Sequence, residues 1–296
     1  MSAEARVPSQ EEAAPIDVFG HPHSPWVQAV LLGLHDRRVP HALRTAPTLA
    51  ILWRFGNSMP LARFDGSPWM PESAAILERA GLGAVTPEAA RAAMDAWRGV
   101  FHRADHIGRF FGGFSRTGDP HRRWAVCTWR NFWRSFGALY FFLRLRSVIW
   151  ALGYRDPDDF GEQFLFWENA LVDQGTAYFG GEAPDTADFL LFGVIQCHAS
   201  IPVAPLHALR EDARLEQLRS WIGRMHERFE DYPFLYSGPW FEPRRPAPET
   251  AAIGGRIAYW TGLACMVLAA PITVPLAFAF MHRVNREFRQ KRSTVP

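Results

Sequence analysis

Hydrophobic and polar positions in the first part of the chain alternate with two different periods. Residues 16–82 open with Ile16–Phe19, a short apolar run of strand-forming residues. Four apolar residues then recur at helical spacing: Val27, Val30, Leu31 and Leu34. A second strand-like run, His41–Arg44, follows them. This order predicts a β-α-β unit.

The next segment has the pattern of a hairpin followed by a helix. Residues 61–64 predict a strand, Asp65-Gly66 is a favoured turn pair, and residues 68–70 predict a short returning strand. A helix is then expected to open at Glu72-Ser73, where a carboxylate and a hydroxyl stand at a start position. The segment therefore completes a β-α-β/β-β-α layout.

Helical periodicity dominates from residue 86 to residue 236. Pro87 stands at a first-turn position, and the long amphipathic stretches after it contain no convincing hairpin. We predict a disordered segment at 1–13, an α/β domain at 14–83 and an all-helical domain at 86–238. A length of 296 residues is consistent with two folded domains.

The strongest local signal lies near the C-terminus. Residues 257–281 carry no formal charge, and about 20 such residues suffice to cross a bilayer as a helix. The sequence therefore predicts a membrane segment, with a buried core helix as the alternative. Pro271 and Pro275 lie near its middle, and each removes a backbone donor. A single kinked span and a re-entrant hairpin are both compatible with this pattern, and the single span is favoured.

Two segments of distinct composition flank the apolar run. Residues 239–255 are rich in proline and glycine and predict a linker. Residues 282–296 form a basic tail that suits an anionic lipid surface, with a solvated charged tail as the alternative. The tail contains five basic side chains: Arg283, Arg286, Arg289, Lys291 and Arg292.

Composition narrows the function classes. The formal net charge is only +2, so no global field favours a nucleic-acid partner. The three cysteines show no CxxC spacing, and no metal site is expected. The first fifteen residues carry charges and no apolar run, so no signal peptide is expected. The folded domains are therefore expected to face the cytoplasm, anchored to a membrane.

Four stretches in order resemble the glutathione transferase superfamily, with theta-, zeta- and omega-like members the most similar. They are Ser24-Pro25-Trp26, Met59-Pro60, the run 71–77 (Pro-Glu-Ser-Ala-Ala-Ile-Leu), and the run 185–192 with Asp185 and Asp188 at its start. The resemblance covers roughly residues 14–240. It implies a thioredoxin-like, glutathione-binding N-terminal domain and an all-α C-terminal domain, which together form the glutathione transferase fold.

The resemblance also implies glutathione as a co-substrate and assigns roles to five residues. Ser24 would favour the thiolate of bound glutathione, or else cap a helix. Met59, before a cis Pro60, would pair with the extended peptide, or the turn would be purely structural. Glu72 and Ser73 would bind the γ-glutamyl end, or else cap a helix. Asp185 and Asp188, by contrast, are predicted to be structural, as a helix cap and its reciprocal partner.

The chain departs from the superfamily in two places. Residues 52–58 lack the Asn-Pro-x-Gly-x-Val pattern, so the resemblance assigns no residue here to the glycyl end of glutathione. Tyr140 is the first tyrosine of the chain, so a tyrosine in the first strand is excluded. Ser24 therefore remains the choice for thiol activation.

Residues 109–150 are rich in aromatic and basic side chains. They suit an apolar co-substrate pocket, a membrane-facing surface, or plain helical core. Four arginines interleave with the aromatic residues and suit anionic headgroups: Arg122, Arg123, Arg130 and Arg134.

Two functions follow from these patterns. One is a transferase that joins glutathione to a lipophilic electrophile at a membrane. The other is a non-catalytic adaptor of the same fold, similar to ganglioside-induced differentiation-associated protein and the metaxins, that binds lipid or a partner protein. Expected partners are glutathione, a lipophilic small molecule and membrane lipid, and a homodimer is left open.

Overall fold

The computed structural model describes residues 15–45, 48–56, 58–99, 107–116, 123–153, 157–200, 203–244 and 250–292. The predicted disordered segment 1–13 lies outside them. The strands are β1 (Ile16–Phe19), β2 (His41–Arg44), β3 (Leu61–Arg63) and β4 (Met70–Pro71). The helices are α1 (Pro25–Asp36), α2 (Leu49–Phe55), α3 (Ser73–Arg79), α4 (Pro87–Ala96), α5 (Ile107–Arg116), α6 (Trp124–Leu152), α7 (Leu165–Gln174), α8 (Thr186–Ala199), α9 (Ala204–Glu211), α10 (Glu216–Arg228) and α11 (Ile253–Arg292).

The four strands form one mixed sheet in the order β2-β1-β3-β4. β1 is parallel to β2 and antiparallel to β3, and β3 is antiparallel to β4. This is the β-α-β/β-β-α layout predicted from the sequence, and it fits a thioredoxin-like domain. The last strand, Met70–Pro71, begins two residues later than predicted because only Met70 and Pro71 reach the register of β3. Helix α2 was not predicted.

Helix α1 lies in the core of this fold. Its apolar side chains Val27, Val30 and Leu34 are fully buried, and α8 packs against it. The closeness depends on Gly193, because a Cβ built there would lie 2.3 Å from the Pro25 carbonyl oxygen. The helix that follows Ser24 is thus held by direct contact with the main chain of α8.

The start of α8 has the predicted capping arrangement. The Asp185 side chain accepts hydrogen bonds from the N–H groups of Ala187 and Asp188, and Asp188 accepts one from the Asp185 N–H. Asp188 also accepts a 2.7 Å hydrogen bond from the Trp221 indole. Burial raises the pKa of Asp188 to about 6 despite these donors. The structural roles predicted for both aspartates are confirmed.

By its contacts the chain divides into two compact units whose limits differ from the predicted domain ranges. Unit 1 comprises residues 1–52, 57–97 and 159–245. Unit 2 comprises residues 53–56, 98–158 and 246–296. The segment 98–158, predicted to belong to one helical domain at 86–238, clusters with the C-terminus because α11 packs along α6.

Helix α11 is longer than the predicted membrane segment at both ends. It begins at Ile253, inside the predicted linker 239–255, because Gly255 packs against Asn131 of α6. It continues to Arg292, so most of the predicted basic tail is helical. It also runs through Pro271 and Pro275 without a break. A re-entrant turn at these prolines was an alternative prediction, and the continuous helix does not contain it.

Candidate functional site

The register of the sheet brings three separate chain segments to one end of unit 1. Phe19 of β1 pairs with Leu61 of β3, and Leu61 pairs with Pro71 of β4. Because β1 and β4 both run antiparallel to β3, the C-terminal ends of β1 and β4 meet the N-terminal end of β3. One step farther, this end of the sheet holds three residues: Gly20, Pro60 and Glu72. Four of the five predicted site residues, Met59, Pro60, Glu72 and Ser73, therefore lie together.

The fifth residue, Ser24, follows the same end of β1. It occupies the N-cap of α1 with extended backbone angles, and its hydroxyl makes no capping hydrogen bond. The first hydrogen bond of the helix runs from the Gln28 N–H to the Ser24 carbonyl, so the N–H groups of Trp26 and Val27 precede it. The half-buried hydroxyl lies at the positive end of a twelve-residue helix, where a thiolate is favoured.

Met59 supplies main-chain groups. The Met59–Pro60 peptide bond is cis, as predicted. Pro60 is buried and Met59 is half-buried. Among the described residues no main-chain partner is found for the Met59 N–H or carbonyl. These two groups are therefore oriented by the fold and available to an extended peptide.

Glu72 and Ser73 lie at the start of α3. Glu72 has φ 78°, a left-handed conformation that costs a residue with a side chain on the order of 1 kcal/mol. The first hydrogen bond of the helix is from the Ile76 N–H to the Glu72 carbonyl, so the N–H groups of the first turn remain free of helical partners. A hydroxyl, a carboxylate and main-chain donors thus meet here, which suits a ligand with both an ammonium and a carboxylate.

Three further residues support this region through contacts that were not predicted from the sequence. Gln28 is fully buried in α1, and its amide nitrogen donates a 2.8 Å hydrogen bond to the Pro22 carbonyl, which fixes the loop before Ser24. His23 stacks on Tyr236, with ring centroids 4.9 Å apart. A glutamine inside an otherwise apolar helical run was the available signal for Gln28. The pairing of His23 with Tyr236 spans 213 residues of sequence and has no local signal.

A buried carboxylate ties the three longer strands together. Asp17 of β1 accepts a 2.7 Å hydrogen bond from Arg44 of β2 and a shorter one from Arg63 of β3. The hydrogen bond from Arg44, with that from Arg63, lowers the pKa of Asp17. This interaction sets the alignment of the strands whose ends carry the site.

The aromatic stretch 109–150 is mostly not core. Helix α6 turns several large rings outward, and Trp129, Trp133 and Phe136 form a row of adjacent rings on its exposed face. Phe111 and Ala138 are buried in a small cluster with Tyr259 and Leu263 of α11. The sequence of residues 109–150 suits a pocket lining, a membrane-facing surface or plain helical core. The last interpretation applies only to the few positions that belong to this cluster. Arg122 lies outside the described residues.

Helix α11 contains a stretch, Ile253–Val284, that is long and apolar enough to cross a membrane. Its most apolar window has a mean hydropathy of 2.2, and little of that window is buried. Length and composition thus agree with the predicted membrane segment.

No protein-family model and no curated protein matches the chain. Solved structures similar to it are glutathione transferases. Poplar glutathione transferase F1 is 16% identical over 74% of this chain and 96% of its own, with a TM-score of 0.39. Bombyx mori glutathione transferase BmGSTD1, in complex with GTT, is 17% identical over 83% and 97%, with a TM-score of 0.42. The sheet order and register of the chain themselves fit a thioredoxin-like N-terminal domain.

Proposed function

We propose that this protein binds glutathione at the end of the sheet in unit 1 and transfers it to a lipophilic electrophile. The observation that carries the proposal is the register that gathers Met59, Pro60, Glu72 and Ser73 beside the loop to Ser24. Free main-chain groups, a hydroxyl and a helix start in one place match the groups of a γ-glutamyl tripeptide. We further propose that the protein resides at a membrane with its folded units in the cytoplasm.

In this mechanism the peptide backbone of glutathione pairs with the Met59 N–H and carbonyl. Its γ-glutamyl ammonium and carboxylate meet Glu72, Ser73 and the first turn of α3. The thiol then points toward Ser24, whose O–H donates to the thiolate and lowers the thiol pKa. The thiol proton passes to solvent. The thiolate forms a carbon–sulfur bond with the electrophile, and the leaving group departs with its electron pair.

Glutathione binding tests the first half of the proposal. Ser73→Ala is expected to weaken binding, because a ligand carboxylate loses a charge-assisted hydrogen bond worth roughly 1.5–3 kcal/mol. Isothermal titration of the full chain in detergent micelles measures this. Ser220→Ala on the exposed face of α10 is the matched control and should bind like the wild type. Equal affinities in all three proteins would remove Ser73 from the site.

Thiol activation tests the second half. Ser24→Ala is expected to raise the pKa of bound glutathione's thiol and to lower turnover with a generic electrophile, while Ser24→Thr keeps a hydroxyl and most of the effect. Titration of the thiolate absorbance of the complex reads out the pKa without turnover. An alanine variant with an unchanged thiol pKa would reduce Ser24 to a helix cap.

A non-catalytic adaptor is the second candidate. The exposed aromatic row of α6 favours it, because such a surface suits lipid or a partner protein and needs no chemistry at Ser24. If glutathione binds but no electrophile is turned over, and Ser24→Ala leaves the thiol pKa unchanged, the adaptor is the better description.

A further inference from the structure

Small and polar residues fill the contact between α6 and α11. Gly255 lies against Asn131, and a Cβ built at Gly262 would be 2.5 Å from the Phe132 carbonyl oxygen and 2.6 Å from the Ser135 hydroxyl. Asn131 and Ser135 are both buried. Their side chains donate to main-chain carbonyls one turn earlier in their own helix. We call this contact the small-residue seam.

Large apolar side chains cover the opposite side of α11. Leu268, near the middle of the uncharged run 257–281, is 83% exposed. Its exposed apolar neighbours continue along the helix: Ile257, Trp260, Val267, Ile272, Leu276 and Phe278. Soluble monomers rarely expose so long an apolar face, whereas membrane helices pack through small residues and turn large ones to lipid. This outward face of α11 is thus suited to hydrocarbon.

The two helices run in the same direction. The contacts of the small-residue seam occur in the same order on both helices, and farther along Leu143 and Ala277 line one small cavity. Any membrane that α11 crosses along this contact would therefore have to be crossed by α6 as well.

The two ends of α6 lie on the same side of any membrane. The chain segments before and after α6 in the sequence form one hydrophobic core. In it, Val30 and Ala93 from the first segment pack with Phe164 and Trp167 from the second. The connection 98–123 cannot supply a compensating crossing, because it carries eight charged residues and no uncharged run longer than six. Helix α6 therefore does not span, and α11, packed along it, does not span either.

The far end of α11 leads to the same conclusion. The Phe280 ring lies 5.7 Å from the Trp53 ring, and the Arg283 guanidinium carbon lies 5.0 Å from it. Trp53 belongs to α2, between strands β2 and β3. Phe280, at the end of the apolar run, and Arg283, just after it, thus contact a residue that is close in sequence to two strands of the sheet. Because Trp53 is joined to β2 and β3 by fewer residues than a crossing needs, a membrane cannot separate the end of the apolar run from these strands.

We infer that α11 lies in the plane of an anionic membrane, packed on α6, and immerses its outward face in one leaflet without crossing. Exposed Arg256 at the start of the run and exposed Arg144 on α6 complement lipid phosphates. At interfacial depth, water also reaches the carbonyls that Pro271 and Pro275 leave without helical donors. The inference rests on the proposed membrane residence and not on the glutathione chemistry.

Cysteine accessibility tests the topology. The native cysteines are changed to alanine, and the full chain is added to preformed sealed vesicles of phosphatidylcholine with 30 mol% phosphatidylglycerol. Single cysteines at Ser293 and, as a control, at the exposed position Asp173 of α7 are probed with a membrane-impermeant maleimide. We expect both to be labelled to the same extent with and without detergent. Protection of Ser293→Cys until detergent is added would establish a span and overturn the inference.

Lipid contact is tested on the same vesicles. Leu268→Lys is expected to lower vesicle partitioning at least about 10-fold, because a charge replaces an immersed apolar side chain. Val172→Lys, at an exposed apolar position of α7 in unit 1, should partition like the wild type. Full-length protein that stays in the vesicle-free fraction as a dimer would show that a second copy covers this face. That result would refute the lipid assignment while leaving glutathione binding to be judged by its own titration.

Discussion

The two compact units differ in how many large apolar side chains they turn outward. In unit 1, large rings such as Phe192 and Trp221 are fully buried. In unit 2, Gly262 and Ser135 are inside, while Leu268 and Trp133 face outward. In water the arrangement of unit 1 is favourable, because burying large rings removes apolar area from solvent. In hydrocarbon this gain is absent, and the close packing of small residues then determines which helix faces contact each other. This contrast supports the proposal that unit 2 contacts lipid while unit 1 faces water.

The largest expected effect concerns the polar centre of unit 1. Asp188 accepts hydrogen bonds from three main-chain N–H groups and from the Trp221 indole, and it is buried. Asp188→Ala leaves these donors without an acceptor and should lower the free energy of unfolding by about 4 kcal/mol. Urea denaturation followed by tryptophan fluorescence measures the loss. Asp173→Ala, at an exposed position, should stay within about 0.5 kcal/mol of the wild type.

One substitution made in both units tests the comparison directly. Leu32→Ala in the core of unit 1 should cost about 3 kcal/mol of unfolding free energy, because it removes a fully buried side chain and leaves a cavity. Leu268→Ala should cost less than about 0.5 kcal/mol in detergent micelles, where its side chain packs against no core. Chemical denaturation of both variants is the measurement. Similar losses at the two positions would contradict the proposal that unit 2 faces lipid.

Acid sensitivity is expected from the interior of unit 1. Burial lowers the pKa of His198 to about 4, against 6.5 for an unperturbed histidine. Below pH 6.5 the unfolded chain therefore binds a proton at His198 that the folded chain does not bind. The contribution of His198 to the free energy of unfolding is present above pH 6.5 and is lost as the pH falls toward 4. The loss between pH 6.5 and 5 is about 2 kcal/mol for this residue.

The matched variant for this pH dependence is His198→Gln. Its amide nitrogen can replace the imidazole Nε2, which lies 2.8 Å from the Ala96 carbonyl oxygen. Because only the His198 proton is removed, other titrating groups such as Asp188 and His226 act equally in both proteins. Unfolding free energies from pH 7 to 5 should decline less steeply in the variant. Parallel curves would show that His198 does not stay neutral inside the fold.

Most of the fold of unit 1 could be predicted from local sequence signals. Period, turn chemistry and the Asp185–Asp188 spacing predicted four strands, helix α1 and the cap of α8, since each depends on residues close in sequence. Helix α2 was not predicted because its seven residues, Leu49–Phe55, contain no capping residue and no clear helical periodicity. The site residues were predicted by resemblance, and the sheet register then explains why four of them lie together.

Unit 2 was harder to predict because its order depends on distant pairing. Composition marked 257–281 as apolar, but nothing local shows that Gly255 and Gly262 pair with a helix more than 100 residues earlier. Composition alone favours a single span, and the proposal that α11 lies in the membrane plane depends on this pairing. The contact of Trp53 with Phe280, which bears on topology, joins positions 227 residues apart.

The small-residue seam also determines when unit 2 can assemble during synthesis of the chain. Helix α6 ends at Leu152 and its partner begins at Ile253, so a ribosome adding about 5–20 residues per second needs several seconds to produce the partner after α6 is complete. During that interval the aromatic helix has been made but its cover has not. Unit 1, complete by residue 245, is available to fold first. Unit 2 can close only after α11 has been synthesised, so it assembles later than the point at which unit 1 can fold.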